Sequence, residues 1–211
     1  MKQKSHWEGI YHHTDPFTVG WFRLHLETSL QLIDETELNQ SAQIIDIGGG
    51  CSTLVDDLLD RGFVNITVLD LSSHAIEITK KRLGDRSDEV TWMEADVTKD
   101  LLPVNHYDLW HDRAVFHFLT NPEDRSAYRT AVQQSLKPNG QLIMATFSPE
   151  APPKCSGLDV VRYTVDSLCH EFQDGFRLVH SHEQEHVTPS GVRQPYMYCY
   201  FRKIEDIEDL A

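Results

Sequence analysis

Three acidic residues stand where apolar runs stop, and a run of glycines follows the first of them. Asp46 opens Asp46-Ile47-Gly48-Gly49-Gly50-Cys51-Ser52, Asp70 closes the run from Asn65 to Leu69, and Asp96 follows Glu94-Ala95. Glycines after an apolar run let the chain turn sharply into a helix. They also let its backbone approach a ligand with no Cβ atoms in the way. Asp70 falls about twenty residues beyond Gly48, the spacing at which a carboxylate accepts hydrogen bonds from ribose hydroxyls. With each apolar run read as a strand, all three carboxylates sit at carboxyl ends, the edge where open α/β sheets bind ligands. The chemistry this suits is capture of a nucleoside.

A nicotinamide dinucleotide is the rival ligand. Its GxGxxG fingerprint needs a third glycine at position 53, where this chain has Thr53. A pyrophosphate also favours an uncluttered helix N-terminus, whereas Asp46 and the carboxylates near it suit a positively charged ligand.

The elements that must position these residues follow from periodicity. Apolar runs alternate with amphipathic stretches, the pattern of a mostly parallel sheet with helices on both faces. Strands are expected over 43–47, 65–69, 90–95, 107–111 and 141–147, and helices over 52–61, 73–83, 123–136 and 165–172. Leu54, Val55, Leu58 and Leu59 share one face of the first of these helices. Lys137-Pro138-Asn139-Gly140 is a stop signal. The runs 176–183 and 195–202, joined only by a polar loop containing Pro189-Ser190-Gly191, should pair antiparallel. The expected fold is therefore a Rossmann-like α/β sheet of seven strands, mostly parallel, with a C-terminal antiparallel hairpin. One domain over 1–211 divides into a helical cap (1–42), a cofactor-binding core (43–147), and an acceptor loop with the hairpin (148–203). Residues 204–211 read as a frayed acidic end.

Composition narrows the function. With 211 residues, 40% of them hydrophobic and 25% charged, the chain can build a full core. A formal charge of −14 argues against nucleic acid, which is held by clustered Lys and Arg. No apolar run approaches the ~20 residues that cross a bilayer, and the start Met1-Lys2-Gln3-Lys4-Ser5-His6 lacks a signal-peptide core. Cys51, Cys155, Cys169 and Cys199 form no CxxC pair, as suits reduced thiols in a cytoplasm. Nothing in the sequence demands an oligomer.

These residues resemble the class I S-adenosylmethionine-dependent methyltransferases. The segment from Ile44 to Ser52 is similar to their first motif, with Ser52 in place of its last glycine. Val68-Leu69-Asp70-Leu71-Ser72 resembles the ribose-binding motif, Ala95-Asp96-Val97 the adenine-binding motif, and the segment Leu136 to Leu142 the turn before strand five. The resemblance implies S-adenosylmethionine as cofactor, held by Asp46, Gly48, Gly50, Asp70, Leu71, Asp96 and Val97, with no metal. A narrower likeness to the elongation-factor lysine methyltransferases and the thiopurine methyltransferase-like enzymes rests on Trp7, Tyr11, Trp21-Phe22 and on Tyr107 to Ala114. It implies that Trp7, Tyr11 and Trp21 close over the cofactor, that Arg113 approaches it, and that Asp112 faces the transfer site.

An activated methyl group needs mainly an aligned nucleophile and a dry site, with a base only where the acceptor arrives protonated. His111, Asp112 and His117 are the groups expected to line that space, His111 and Asp112 being the catalytic candidates. Asp112 also has a plainer role open to it, as an ion-pair partner of Arg113 or Arg125. His180, His182, Glu183 and His186 lack the spacing of a metal motif and read as a surface strand. Residues 148–163, rich in proline, make a loop at the ligand edge and the candidate for acceptor selection. The expected acceptor is a small molecule, since 211 residues leave little room for an added protein-docking domain. A protein lysine is the alternative acceptor, and a nicotinamide oxidoreductase or a non-catalytic binder are the other readings.

Overall fold

The computed structural model describes residues 2–15, 18–188 and 191–204; the acidic end at 205–211 and Pro189-Ser190 of the polar loop lie outside them. Two helices, α1 (Lys2–His13) and α2 (Glu27–Glu35), precede the sheet. There follow β1 (Gln43–Ile47), α3 (Leu54–Asp60), β2 (Asn65–Asp70), α4 (Ser73–Leu83), β3 (Val90–Glu94), β4 (Tyr107–Arg113), α5 (Pro122–Ser135) and β5 (Leu136–Phe147). A short hairpin, β6 (Lys154–Cys155) and β7 (Leu158–Asp159), then leads to α6 (Val165–Glu171), β8 (Phe176–Val187) and β9 (Arg193–Lys203).

The seven long strands form one sheet in the order β3-β2-β1-β4-β5-β9-β8. The first five run parallel, and β9 pairs antiparallel with both β5 and β8. The mostly parallel sheet and its terminal antiparallel hairpin are as expected. Register levels the carboxyl ends: Ile47 stands beside Leu69 and Asp112, and Asp70 beside Glu94. Acidic residues far apart in sequence thus arrive at one edge.

Strands buried on both faces need apolar residues at successive positions, and β1 shows the consequence. Ile44 belongs to one core with Leu30 and Ile33 of α2 and Leu54, Val55 and Leu58 of α3. Ile45 and Ile47 belong to the other, with Tyr128 and Val132 of α5 and Leu168 of α6. Helices therefore cover both faces.

Two expectations need correction. The Lys137–Gly140 stop signal ends α5 but leaves no loop, because β5 begins at once at Leu136. Asn139 absorbs the change of direction at φ +60°, a left-handed conformation Asn tolerates better than most residues, and the pairing of β4 with β5 slips between Tyr107 and Leu109. The terminal strands are longer than expected because pairing continues from Phe176–Lys203 to Val187–Arg193. An edge strand with one face in water carries polar residues without ending.

Candidate functional site

The floor of the site is the turn after β1. Gly48 has φ +68°, and a Cβ there would lie 2.2 Å from Val115 Cγ2. A Cβ on Gly50 would lie 2.6 Å from both Asp70 Oδ2 and Ala75 Cβ. Both positions therefore require glycine, the second so that Asp70 can reach the backbone. Gly50 N donates to Asp70 Oδ2 at 3.0 Å and Ser72 N donates to Oδ1 at 2.8 Å. Burial pushes the Asp70 carboxyl up to about 6, against the pull of these two hydrogen bonds. At the end of β3, Asp96 accepts from Thr98 N, Thr98 Oγ1 and Lys99 Nζ. Burial opposes its charge, but those donors hold its carboxyl below the usual range.

The second wall is β4. His111 Nδ1 lies 2.7 Å from Asp46 Oδ1 and its Nε2 2.9 Å from Ser29 Oγ, so α2 fixes the ring that fixes Asp46. Arg113 donates from Nε to the Tyr198 hydroxyl and from Nη1 to the Trp21 carbonyl, both at 3.1 Å, and lies 4.5 Å above the Tyr196 ring. Two buried atoms here have no hydrogen-bond partner: Asp46 Oδ2 and Arg113 Nη2. Both residues line one recess with Gly48, Gly49 and Trp21. An orphaned acceptor and an orphaned cationic donor thus stand on residues lining one recess, with charges complementary to an ammonium and a carboxylate.

The roof is aromatic. Trp7 lies 5.1 Å from Phe118 and 5.8 Å from Trp21, both edge to face, and Tyr11 lies 6.3 Å from each tryptophan. Cys155, in the β6–β7 hairpin, completes the enclosure, and His6 of α1 meets the Ser156 carbonyl at 3.1 Å. Beneath the roof lies a cleft whose empty space, open solvent included, is about 830 Å³.

Trp7, Tyr11, Trp21, Gly48, Asp70, Leu71, Asp96, Val97 and Arg113 all line this cleft, and Asp46 lines the adjoining recess. Gly50 lies beneath the floor, where its role is to bind Asp70. Neither Asp112 nor His111, the catalytic candidates, lines this cleft, and His111 lines the adjoining recess beside Asp46. Asp112 is fully buried; its oxygens accept from Val115 N, Phe116 N and the Tyr128 hydroxyl. Neither arginine pairs with it: Arg125 binds Glu171, and Arg113 binds as described. Burial pushes its carboxyl up to about 6 even so. His111 is occupied on both ring nitrogens. His117 is fully buried, accepts from Phe147 N at Nδ1, and is pushed down to about 3 by burial and by Arg113, which keeps it neutral.

The sequence reading missed Gln3, Val115, Phe118, Leu119 and Cys155 on the cleft wall. The apolar run after Asp112 carried a signal for three of them, because a β4 exit at the ligand edge must put its next residues over the ligand. The histidines of β8 hold no metal group among the described residues. His180 instead pairs with Glu35, and His186 meets the Gly20 carbonyl.

Residues 45–142 match the family model for a methyltransferase domain. Among curated proteins, the chain is 26% identical over 190 residues to EEF1A lysine methyltransferase 2 of Danio rerio, covering 83% of this chain and 76% of that protein. It is 30% identical over 129 residues to malonyl-[acyl-carrier protein] O-methyltransferase of Halalkalibacterium halodurans, covering 57% of this chain and 46% of that one. Among solved structures, one concerning conversion of a disulfide bond into a thioacetal group during echinomycin biosynthesis superposes with TM-score 0.78. It has 17% identity and covers 99% of this chain and 95% of its own. The 1,6-didemethyltoxoflavin-N1-methyltransferase of Burkholderia thailandensis, solved with S-adenosylhomocysteine, follows at TM-score 0.74 and 19% identity, covering 96% and 88%. These two likenesses establish the fold.

The placement of Asp112 generates a prediction. Asp112→Ala orphans the buried Phe116 N–H and Tyr128 hydroxyl and the half-buried Val115 N–H, each buried orphan costing roughly 1–3 kcal/mol, so chemical denaturation should show a loss of about 2 kcal/mol or more. Asp112→Asn should fold and keep turnover within about tenfold. A ~100-fold loss of turnover in that folded variant would return Asp112 to the acid–base role.

Proposed function

We propose that this class I S-adenosylmethionine-dependent methyltransferase acts on a small molecule with a flat, uncharged reacting end. One observation carries this reading. Among the described residues, the carboxylates lining the cleft are Asp70 and Asp96, both at the β2–β3 side, while the far side presents Trp7, Trp21, Phe118, Leu119 and Cys155. A flat acceptor finds rings to stack on there. A lysine ammonium finds no carboxylate there to orient or deprotonate it. The roof also closes the cleft from α1 to the β6–β7 hairpin, which suits a ligand that is swallowed.

Bound S-adenosylmethionine supplies a methyl group already activated on a sulfonium. The chain's own residues then have three tasks: holding the cofactor, aligning the acceptor and excluding water. Asp70 offers oxygens to the ribose hydroxyls. Asp46 Oδ2 and Arg113 Nη2, unpartnered and buried, fit the ammonium and carboxylate of the methionine end. Ala95, Asp96, Val97 and Leu71 make the bed for the base. The aromatic roof keeps water out. This fit leaves the hydride-transfer reading without support.

Lysine methylation is the second reading, favoured by the similarity to EEF1A lysine methyltransferase 2 along most of both chains and by rings able to hold a cation on their faces. No described helix is long and apolar enough to cross a membrane. Four free cysteines and a net charge of −14 fit a cytoplasmic enzyme that does not act on nucleic acid.

Production of S-adenosylhomocysteine from a panel of thiols, phenols, carboxylic acids and purified elongation factor tests the acceptor. Turnover is expected with a small acceptor; turnover with the elongation factor alone overturns the reading.

A second test concerns pH. A carboxyl raised to about 6 is ionised at pH 7.5 and mostly protonated at pH 5, so S-adenosylhomocysteine should bind about tenfold more weakly at pH 5. The sign for stability is the reverse. A folded-state value above the unfolded one favours the cofactor-free protein below pH ~4, and this contribution is lost as pH rises through 6. Asp70→Asn should weaken binding at pH 7.5 and flatten both dependences, as calorimetric titration and melting across pH would show.

A further inference from the structure

The aromatic roof is held down by one small apolar cluster, in which Trp7, Trp21 and Ile78 lie against the buried Tyr11, Cys51 and Ala75. Of the described side chains on α1, Tyr11 alone is buried, and Trp7, His6 and Ile10 remain partly exposed. A helix of 12 residues is marginal in water on its own. Gly9, in its middle with nothing within 4 Å of its Cβ position, weakens it further. Something besides that cluster fastens α1.

That something is Glu8. Its Oε1 accepts from Ser73 N at 2.8 Å and Ser73 Oγ at 3.1 Å, and its Oε2 from Ser72 Oγ at 3.0 Å and His74 N at 3.3 Å. Four donors converge on one carboxylate at the start of α4, where free backbone N–H groups and the helix dipole favour an anion. Ser72 caps the same helix by accepting from Ala75 N at 3.1 Å, and its own N–H binds Asp70. Two further contacts flank the latch: Lys4 pairs with Glu94, and His12 stacks on His74 at 3.9 Å. Trp7 immediately precedes Glu8 and Tyr11 follows one turn later, so the roof moves with this carboxylate.

We propose that Glu8 is a positioning residue that latches α1 onto the start of α4, closing the roof over the bound nucleoside and setting how fast the nucleoside product leaves. The inference rests on the placement of the cofactor in this cleft; it is independent of the acceptor. Glu8 touches no reacting atom. It acts through Ser72 and Ser73, one residue beyond the pair Asp70-Leu71 that lines the nucleoside end. Opening the latch frees Trp7 and Tyr11 together and leaves the floor of the site intact.

The test is stopped-flow tryptophan fluorescence of S-adenosylhomocysteine release from the full chain, comparing the parent with Glu8→Gln, Ser73→Ala and the double variant. Glu8→Gln keeps the shape and removes the charge that four donors share. Release should accelerate about tenfold or more, and the KM for S-adenosylmethionine should rise by a similar factor. Turnover at saturation should change by a smaller factor than KM, and the melting temperature without ligand should change little. Ser73→Ala should give a smaller acceleration, and the double variant should add little beyond Glu8→Gln, because both act through one contact. Release within twofold of the parent, or effects of the two substitutions that simply multiply, overturns the latch. Failure of the parent itself to bind S-adenosylhomocysteine would instead overturn the placement of the cofactor, so the two failures are distinguishable.

Discussion

One buried carboxylate ties the site together. Asp70 accepts from the glycine turn through Gly50 N and from the start of α4 through Ser72 N, so the ends of β1 and β2 and the start of α4 share a single acceptor. The tie works only because position 50 has no Cβ. The environment that makes Asp70 a good anchor also makes it reluctant to ionise, since burial and the nearby negative charges of Asp46 and Glu8 raise its carboxyl while two N–H groups lower it. A ligand offering hydroxyl donors relieves that balance, because donors to the charged form favour it. The turn is built around a charge it only partly satisfies.

The other strand-end acids show how much environment decides the role of one chemical type. Asp112 stands beside Ile47 in register, at the edge where a catalytic carboxylate would be sought. Its oxygens turn away from the cleft, onto the backbone of residues 115 and 116 and the Tyr128 hydroxyl. It shapes the segment that carries Val115 and Phe118 over the ligand. Asp46 uses one oxygen for His111 and leaves the other bare. Asp96 is answered by its own loop. Four acids at one edge thus divide into a tie between the glycine turn and α4, a carboxylate with one bare oxygen, a loop former and a local cap.

The parallel sheet, its terminal hairpin and the gathering of Gly48, Asp70 and Asp96 at one cleft were legible because each rests on local rules. The glycines after β1 answer to contacts within a strand-turn-helix unit, and the spacing to Asp70 answers to strand length. The apolar positions of α3 follow one helical face, and Leu54, Val55, Leu58 and Leu59 are all buried. What sequence could not show was direction. Asp112 and Arg113 are neighbours on a strand, and successive side chains point to opposite faces, so one reaches the cleft and the other the core beneath it. Which is which depends on the register of β4 against β1 and β5, and that is not a local property. Glu8 was illegible for a related reason: its partners lie 64 to 66 residues away. Nothing about an acidic residue in a polar helix marks it as the cap of another helix.

Those two kinds of information correspond to two kinds of energy in the site. The floor is held by close packing and by hydrogen bonds inside the core, where removing a partner leaves a buried orphan, and such a floor does not move. The roof is held by charge-assisted contacts near the surface, which water can replace at modest cost. A methyltransferase needs both. The site must be dry when the methyl group moves, yet a nucleoside product larger than the methyl it has lost must leave before the next cofactor enters. A roof sealed by apolar burial would hold the product as firmly as the substrate. With Trp7 and Tyr11 mounted on a weak helix and that helix fastened at Glu8, the seal is aromatic and the fastening is polar, so closure and release are governed by different contacts.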